Sequence, residues 1–411
     1  MGEAWIIDAC RTPRGIGKIG KGALADMHPQ QLGATVLRTL AERTGIDTRD
    51  VDDVIWGCSA QVNTQSGDLG RMSALDAGYA IESSGITLDR FCGSGLSAVN
   101  LAAASIMSGM EDLIVAGGTE MMSMPGRRGS NGPALMDCGN LHLRAAHPQP
   151  AQGVSADMIA TLEGIPREAL DALSLVSQQR AAVAIAEGRF DRSLVPVYRP
   201  DGSVALDHDE FPRPQTTLEG LAALKPSFDA FADTVVDESG ATYRSMALQA
   251  YPDMKINHVH HAGNSSGVVD GSAALLMASP DYARAHGLKP RARIVRTANM
   301  GDSPTLMLNA PVPATRKVLA KAKMALADID LIEVNEAFAV VAEKFMRDLD
   351  VDRDKVNVNG GAIALGHPIG ATGAVLVGTV LDELERRDLE FGLVTMCAAG
   401  GMAPAVIIQR I

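Results

Sequence analysis

The sequence predicts an α/β fold built from two duplicated halves with an inserted loop domain. Short apolar runs alternate with helical segments, which is the pattern of a sheet covered by helices. Residues 87–118 and 356–401 repeat one plan of strand, glycine-rich turn, small-residue helix and strand. Residues 121–257 break this alternation. A chain of 411 residues also exceeds one ordinary hydrophobic core.

In chain order, the first half is predicted to contain a helix from Gln31 to Thr44 that stops at Gly45. Its predicted buried strands cover residues 4–8, 54–57 and 112–116. For the second half we predict strands at residues 330–334, 356–358 and 391–396, and a helix from about 370 to 386. The two sets of elements have the same order, which favours a duplication, although any α/β protein reuses such units and this remains the alternative.

The inserted region, residues 121–257, has a composition of its own. An amphipathic helix is predicted from Pro166 to Gly188, and a polar stretch rich in Asp and Pro runs on to residue 215. Apolar residues recur throughout, so the region is expected to fold as a loop domain rather than to be disordered.

Composition limits the function classes. The formal net charge of −12 argues against nucleic-acid binding, which needs a basic surface. The N-terminal stretch does not have the pattern of a signal peptide, and no apolar run approaches the roughly 18 residues of a membrane span. The five cysteines, at 10, 58, 92, 138 and 397, fit neither a disulfide framework nor a zinc site. We therefore expect a cytoplasmic protein with reduced thiols.

Cys92 is the first candidate for chemistry. It stands where a predicted strand turns into a helix of small residues, and the positive end of a helix dipole favours thiolate and lowers a cysteine pKa. A buried structural cysteine is the alternative. Residues 93–98 also match a dinucleotide-binding fingerprint, but Glu111 and Asp112 precede the next strand, whereas an acidic residue should close it.

His367 is the second candidate, because it is the one titratable side chain in the glycine-rich stretch 359–373. It suits a base beside a thiol or a donor to a carbonyl oxygen. Cys397 and Asn335 each follow a predicted buried strand, and active sites of α/β sheets lie at the carboxyl ends of strands. The histidines of residues 258–261 have no acidic residue or cysteine at ligand spacing, so no metal site is predicted.

These motifs resemble those of the thiolase family over nearly the whole chain. The matching segments are CGSGLSA at 92–98, AGGTEMMS at 116–123, GRFD at 188–191, AGNSSG at 262–267, PVPATRK at 311–317, NEAF at 335–338, NVNGGAIALGHPIGATG at 357–373 and the segment around Cys397. The resemblance implies a five-layered αβαβα fold in which residues 1–120, returning around 258–280, form one half. It places CoA binding in the loop domain 121–257 and the second half at 281–411, and it implies a homodimer or homotetramer.

The resemblance also implies roles for individual residues. Cys92 would take the acyl group, His367 would activate it, and Cys397 would move the α-proton of a second acyl-CoA. Asn335 would hold a water for one oxyanion hole, and the backbone N–H groups of Cys92 and Ala399 would form another.

Contacts with coenzyme A are implied for Ser266, Met307, Arg213 and Gln152. Departures from the family pattern are Gln152-Gly153 for its Met-Gly pair, Asp157 for Glu, Ala398-Ala399 for Gly-Gly and Asp89 for Asn. The stretch from about residue 228 to 257 is longer than in many members. We hypothesise that it reshapes the wall of the acyl or pantetheine pocket.

The expected function is therefore CoA-dependent acyl transfer through an acyl-cysteine: thiolytic cleavage of 3-ketoacyl-CoA, Claisen condensation of acetyl-CoA, or both. Acyl-CoA is expected as substrate, with no permanently bound cofactor or metal and no nucleic-acid or membrane partner. A ketosynthase-like condensing enzyme is one alternative, although it would usually lack the second cysteine. An NAD-dependent oxidoreductase is the alternative from another class.

Overall fold

The computed structural model describes residues 2–124 and 135–411, so residues 125–134 of the predicted loop domain lie outside the described part. The described strands are β1 (Trp5–Arg11), β2 (Gly15–Ile16), β3 (Asp53–Gly57), β4 (Ile86–Leu88), β5 (Leu113–Met121), β6 (Val197–Tyr198), β7 (Val204–Leu206), β8 (Val269–Ala278), β9 (Ala292–Gly301), β10 (Leu331–Val334), β11 (Phe391–Thr395) and β12 (Met402–Arg410). The described helices are α1 (Pro29–Thr44), α2 (Leu69–Asp76), α3 (Ser94–Ser108), α4 (Leu141–Ala146), α5 (Gln152–Leu162), α6 (Arg167–Ala186), α7 (Leu218–Ala222), α8 (Asp229–Ala232), α9 (Tyr243–Ala250), α10 (Pro280–Ala285), α11 (Pro311–Ala322), α12 (Ala339–Leu349), α13 (Ala362–Leu365) and α14 (Thr372–Arg387).

The main sheet has two parts with matching topology. In the first, β3 and β5 are parallel, and β8 and β1 follow as antiparallel strands. In the second, β10 and β11 are parallel, and β12 and β9 follow as antiparallel strands. The parts meet through only two residue pairs of β1 and β9. The predicted duplication is therefore visible in the order and direction of the strands.

Helices α3 and α14 form the middle layer, because they pack on each other and on both parts of the sheet. Helices α1 and α2 cover the outer face of the first part, and α11 covers the outer face of the second. This arrangement is the five-layered αβαβα fold. Helix α3 and the first half of α14 are apolar around most of their circumference because sheet strands cover them on two sides.

The region between the halves is fastened to both of them. The guanidinium of Arg11 in β1 donates to the carboxylate of Asp209 at 2.8 Å, and both groups are buried. Burial opposes ionisation of Asp209, but Arg11 and Arg14 outweigh it and hold the pKa of that carboxyl down at about 2. On the other side, the hydroxyl of Ser177 in α6 donates to the carboxylate of Glu336 at 2.7 Å. The loop region therefore packs on each half through buried polar contacts.

Most predicted elements are confirmed, with two corrections. The predicted strand at residues 356–358 is only a single bridge between Ile332 and Val356, at the place that β4 occupies in the first half. Asn357 takes φ +48° there, and its side chain bonds both the N–H and the carbonyl of Val334 in place of a ladder. The strand predicted to end before Gly117 continues to Met121.

One stretch of the described residues, Phe91–Ser108, has the length and mean hydropathy (1.3) of a membrane span. The expectation that no run approaches that length was therefore wrong. This stretch contains α3, and 67% of it is buried between the two parts of the sheet. Packing in the middle layer accounts for its apolar composition. None of the five cysteines, all of which lie in the described part of the chain, forms a disulfide.

Candidate active site

Cys92 lies in a tight turn between β4 and α3, two residues before the first helical residue, and is only 4% exposed. Phe91 takes φ +50°, and its N–H donates to the carboxylate of Asp89 at 2.6 Å. The hydroxyl of Ser94 closes the turn by donating to the carbonyl of Phe91 at 2.7 Å. These contacts hold the sulfur at the N-terminus of a fifteen-residue helix, where the dipole stabilises a thiolate.

Glycines let the second half approach this turn backbone to backbone. A Cβ on Gly95 would lie 2.6 Å from the carbonyl oxygen of Gly370, and a Cβ on Gly373 would lie 2.0 Å from the nitrogen of Leu96. Only glycine fits at such distances. The start of α3 and the start of α14 are therefore packed against each other, which brings the turn of Cys92 to the loop that carries His367.

His367 lies in this loop between α13 and α14 and is buried. Its Nδ1 is 2.6 Å from the hydroxyl of Thr372, and that hydroxyl is 3.0 Å from the carbonyl oxygen of Pro368. Because the carbonyl can only accept, we assign the hydroxyl proton to it and the ring proton to Nδ1. The neutral imidazole then presents the lone pair of Nε2, which suits a base.

Asn335 follows β10 and is fully buried. Its Nδ2 lies 3.4 Å from Nε2 of His367, and its N–H donates to the carbonyl of Thr395 at 3.2 Å. The side-chain oxygen Oδ1 is buried with no hydrogen-bond partner among the described residues. Asn335 therefore links the imidazole to the end of β11, and one of its polar atoms is left for another group.

Cys397 follows β11 and is fully buried. Burial, together with the nearby sulfur of Cys92, raises the pKa of Cys397 well above its ordinary value. The next residues form a tight turn, because Ala398 and Met402 exchange two backbone hydrogen bonds and Gly400 takes φ +80°. A Cβ on Gly93 would lie 2.9 Å from the ring of Pro404 in β12, and a Cβ on Gly400 would lie 3.9 Å from the ring of Phe91, so the turns of Cys92 and Cys397 pack against each other. One cysteine from each half therefore lies at the same site.

The predicted CoA contacts occupy different surroundings. The N–H of Ser266 donates to the carbonyl of Ala337 at 3.0 Å, and the next residue, Gly267, accepts from the N–H of His367 at 2.9 Å. Arg213 is exposed, and its guanidinium lies over the ring of Phe211 at 5.4 Å.

That ring packs on Gly267, where a Cβ would lie 2.4 Å from it. Ser266 and Arg213 therefore lie along one path that leads from the surface to His367. Met307 is buried with φ +59° and packs in the core shared with α5. Gln152 begins α5, and its Nε2 is 3.9 Å from the sulfur of Cys92. The side chain of Gln152 therefore lies beside the thiol of Cys92.

Reasoning from the sequence missed the contacts of two side chains, Thr372 and Asp157. Thr372, which orients His367, is five residues away in the same motif, so a hydroxyl near a loop histidine was the available signal. Asp157 bonds both His258, at 2.6 Å, and His260, at 2.7 Å, across about a hundred residues of chain. These histidines therefore lack an acidic neighbour along the sequence but have one in the folded chain. Among the described residues no group of three or more potential ligands is arranged for a metal ion.

Comparisons with known proteins agree with this geometry. The family model for the thiolase N-terminal domain matches residues 4–242, and that for the thiolase C-terminal domain matches residues 288–410. The chain is 40% identical to a steroid 3-ketoacyl-CoA thiolase of Mycobacterium tuberculosis, over 100% of this chain and 95% of the relative.

It is also 40% identical to a beta-ketoadipyl-CoA thiolase of Acinetobacter baylyi, over the full length of both chains. A solved acetyl-CoA acetyltransferase of Bacillus anthracis superposes with a TM-score of 0.84 at 34% identity, covering 100% of this chain and 99% of that one.

Proposed function

Since the chain belongs to the thiolase family, we propose that Cys92 carries the acyl group, that His367 activates it and that Cys397 moves the α-proton. As a thiolase the protein is an acyltransferase that acts on CoA thioesters. The observation that carries the assignment of roles is that two turns from opposite halves, each bearing a cysteine, pack together beside an imidazole whose Nε2 is the basic nitrogen.

Thiolysis would begin at Cys92. His367 takes the thiol proton, and the sulfur attacks the 3-keto carbon of the substrate. The bond between C2 and C3 then breaks, which leaves the acyl group on Cys92 and the enolate of acetyl-CoA. The thiol of Cys397 donates its proton to the α-carbon of that enolate, so acetyl-CoA departs.

The second step would restore both cysteines. The Cys397 thiolate takes the proton of a free CoA thiol, and the CoA sulfur attacks the acyl group on Cys92. The Cys92 sulfur leaves and recovers its proton from His367. A Cys397 pKa above the ordinary value supports this role, because the resting group is then a thiol with a proton to give.

The negative charge that develops on the substrate's carbonyl oxygen during the reaction needs hydrogen-bond donors to stabilise it. The buried Oδ1 of Asn335 would accept from a water, and that water and His367 would donate to the thioester oxygen. The N–H groups of Cys92 and Ala399 would serve a second oxygen, as the resemblance implies. One such donor is typically worth about 3 kcal/mol of transition-state stabilisation.

We propose degradation of 3-ketoacyl-CoA as the working direction, in line with the relatives whose names specify such substrates. CoA would lie along the path from Arg213 through Ser266 to Cys92, with Met307 and Gln152 beside the acyl end.

The cytoplasm is the proposed location. A homodimer or homotetramer is the proposed assembly, supported by the exposed Ile81 and Ile86 at and beside the edge strand β4. Light scattering on the purified protein tests the assembly.

The experiment for the function is a thiolysis assay in which CoA is added to 3-ketoacyl-CoAs of short, medium and branched chain. The expected result is loss of the 3-ketoacyl-CoA absorbance together with formation of acetyl-CoA. If no member of the series is cleaved and acetyl-CoA gives no acetoacetyl-CoA in the reverse assay, the proposal is wrong.

A further inference from the structure

Gln152 places a neutral amide beside the nucleophile. Its Nε2 lies 3.9 Å from the sulfur of Cys92, and its side chain is partly exposed although that cysteine is buried. The resemblance leads one to expect an apolar methionine at this position. An amide offers two N–H donors and one acceptor where a thioether offers almost none.

The segment 228–257 fixes the position of this amide. Gln152 is the first residue of α5, and at the next residue, Gly153, a Cβ would lie 2.2 Å from the ring of Phe228. That ring also contacts Phe338 edge-on, with 5.8 Å between centroids. Further along α5, the hydroxyl of Ser155 donates to the carbonyl of Thr305 at 2.9 Å. The first turn of α5 is therefore held against aromatic and polar partners.

The amide is only weakly engaged by the protein. A separation of 3.9 Å between nitrogen and sulfur is at the long end for a hydrogen bond to sulfur, and the side chain of Gln152 makes no other hydrogen bond to a described residue. An acyl group bound to Cys92 would displace water from this amide. Removing water without supplying a partner is unfavourable, whereas an acceptor oxygen on the acyl group would take the place of that water.

We infer that Gln152 selects the acyl group carried by Cys92 and favours 3-ketoacyl-CoAs whose acyl chain bears an accepting oxygen close to the thioester. This inference rests on the proposed function. A site that hydrogen-bonds such an oxygen discriminates against the analogue that lacks it, because the amide is then left without a partner. The longer segment 228–257 acts on specificity through Phe228, which holds the first turn of α5 in place.

The test compares two six-carbon 3-ketoacyl-CoAs, one ending in a carboxylate and one ending in a methyl group. The ratio of their kcat/KM values is measured for the wild type, for Gln152→Met and for Gln152→Glu. Gln152→Met should lower the ratio of the carboxylate to the methyl substrate by about tenfold, the effect of losing one hydrogen bond. Gln152→Glu keeps the shape but places a negative charge there, so it should lower the ratio further.

The control is Gln179→Met, the same substitution at an exposed position of α6, which should leave the ratio unchanged. Acylation of Cys92 by acetyl-CoA shows that each variant is folded. If both substrates slow equally in Gln152→Met, the amide acts on the sulfur alone and the inference is wrong. If the wild type cleaves neither these substrates nor any of the broader series, the proposed function fails instead.

Discussion

The two halves of the molecule share one topology but differ in what stands at equivalent points. In the first half a thiol, Cys92, precedes the middle-layer helix α3, whereas in the second half the loop of His367 precedes α14. The two halves also differ at the carboxyl end of the strand that follows each of these helices. The first half has Glu120, whose carboxylate accepts from the N–H groups of Ser59, Ala60 and Gly370, and the second half has Cys397.

The difference shows that the topology supplies positions and that the individual residue supplies the chemistry. Cys92 lies at a helix N-terminus, which favours the thiolate, and Cys397 is buried past a strand end, where the proton is retained. Glu120, at the corresponding strand end of the first half, connects the two halves by accepting a hydrogen bond from Gly370. Substitutions in the two halves should therefore affect different steps of the reaction.

The largest effect is expected for Cys92, the proposed nucleophile in the first half. Cys92→Ser replaces a thiol by a hydroxyl that is rarely ionised and a poorer leaving group, so thiolysis should fall by at least about 10⁴-fold. The measurement is the rate of 3-ketoacyl-CoA cleavage at saturating CoA. Cys58→Ser, at another buried cysteine of the first half, is the matched control and should retain most activity in folded protein.

Substitution of Cys397 in the second half should cause a different loss of activity. Cys397→Ser removes the group proposed to move the α-proton, and general acid–base groups contribute about 10²–10⁴-fold. Thiolysis and condensation should both fall in that range. Acylation of Cys92 by acetyl-CoA should be much less affected, because a CoA thiolate can leave without first being protonated, whereas proton transfer at the α-carbon needs an acid or base at that position. Mass spectrometry and a steady-state assay separate the two outcomes. Equal loss of acylation would mean that the cysteines do not have distinct roles.

A smaller effect is expected at Thr372, which acts through His367. Thr372→Val removes the acceptor for Nδ1–H and should lower kcat by about tenfold, the value of one hydrogen bond. The pH dependence of kcat should move with it, because the tautomer of the imidazole is no longer fixed. Thr372→Ser keeps the hydroxyl and should restore most of the rate. An unchanged pH profile in Thr372→Val would contradict the assigned tautomer.

The contact between the halves is tested by stability rather than by rate. Gly373→Ala forces a methyl group against Leu96 and should destabilise the fold by about 1–3 kcal/mol. Gly378→Ala, in the same helix, places a Cβ 3.4 Å from Ala9 and should be neutral or stabilising by up to about 1 kcal/mol. Urea unfolding of both variants gives the comparison. Similar stabilities for the two would argue against close packing of α3 and α14.

The sequence predicted the elements that have a strong local pattern. The apolar strands β3, β10 and β11 and the helix α1 with its Gly45 stop were found nearly to the residue. Local pattern also suggested the repeat. It failed at residues 356–358, because the left-handed Asn357 diverts a run of strand-forming residues away from the sheet.

Contacts between distant segments were outside the reach of single-sequence reasoning. The approach of Gln152 to Cys92 joins residues sixty positions apart, and the pairing of Asp157 with His258 joins residues a hundred apart. Neither has a periodicity or spacing that marks it in one sequence. Cys92, His367 and Cys397 could be proposed from the sequence because residues that bear chemistry stand at glycine-rich turns and strand ends, which is a local signal.

In the proposed mechanism two thiols, one from each half, meet at one site, and only the thiol of the first half carries the acyl group. Peptide mapping by mass spectrometry after incubation with acetyl-CoA distinguishes the two thiols. We expect an acetyl group on the peptide of Cys92 in the wild type and in Cys397→Ser, and none on the peptide of Cys397. Acetylation of Cys397, or of neither cysteine, would overturn this assignment.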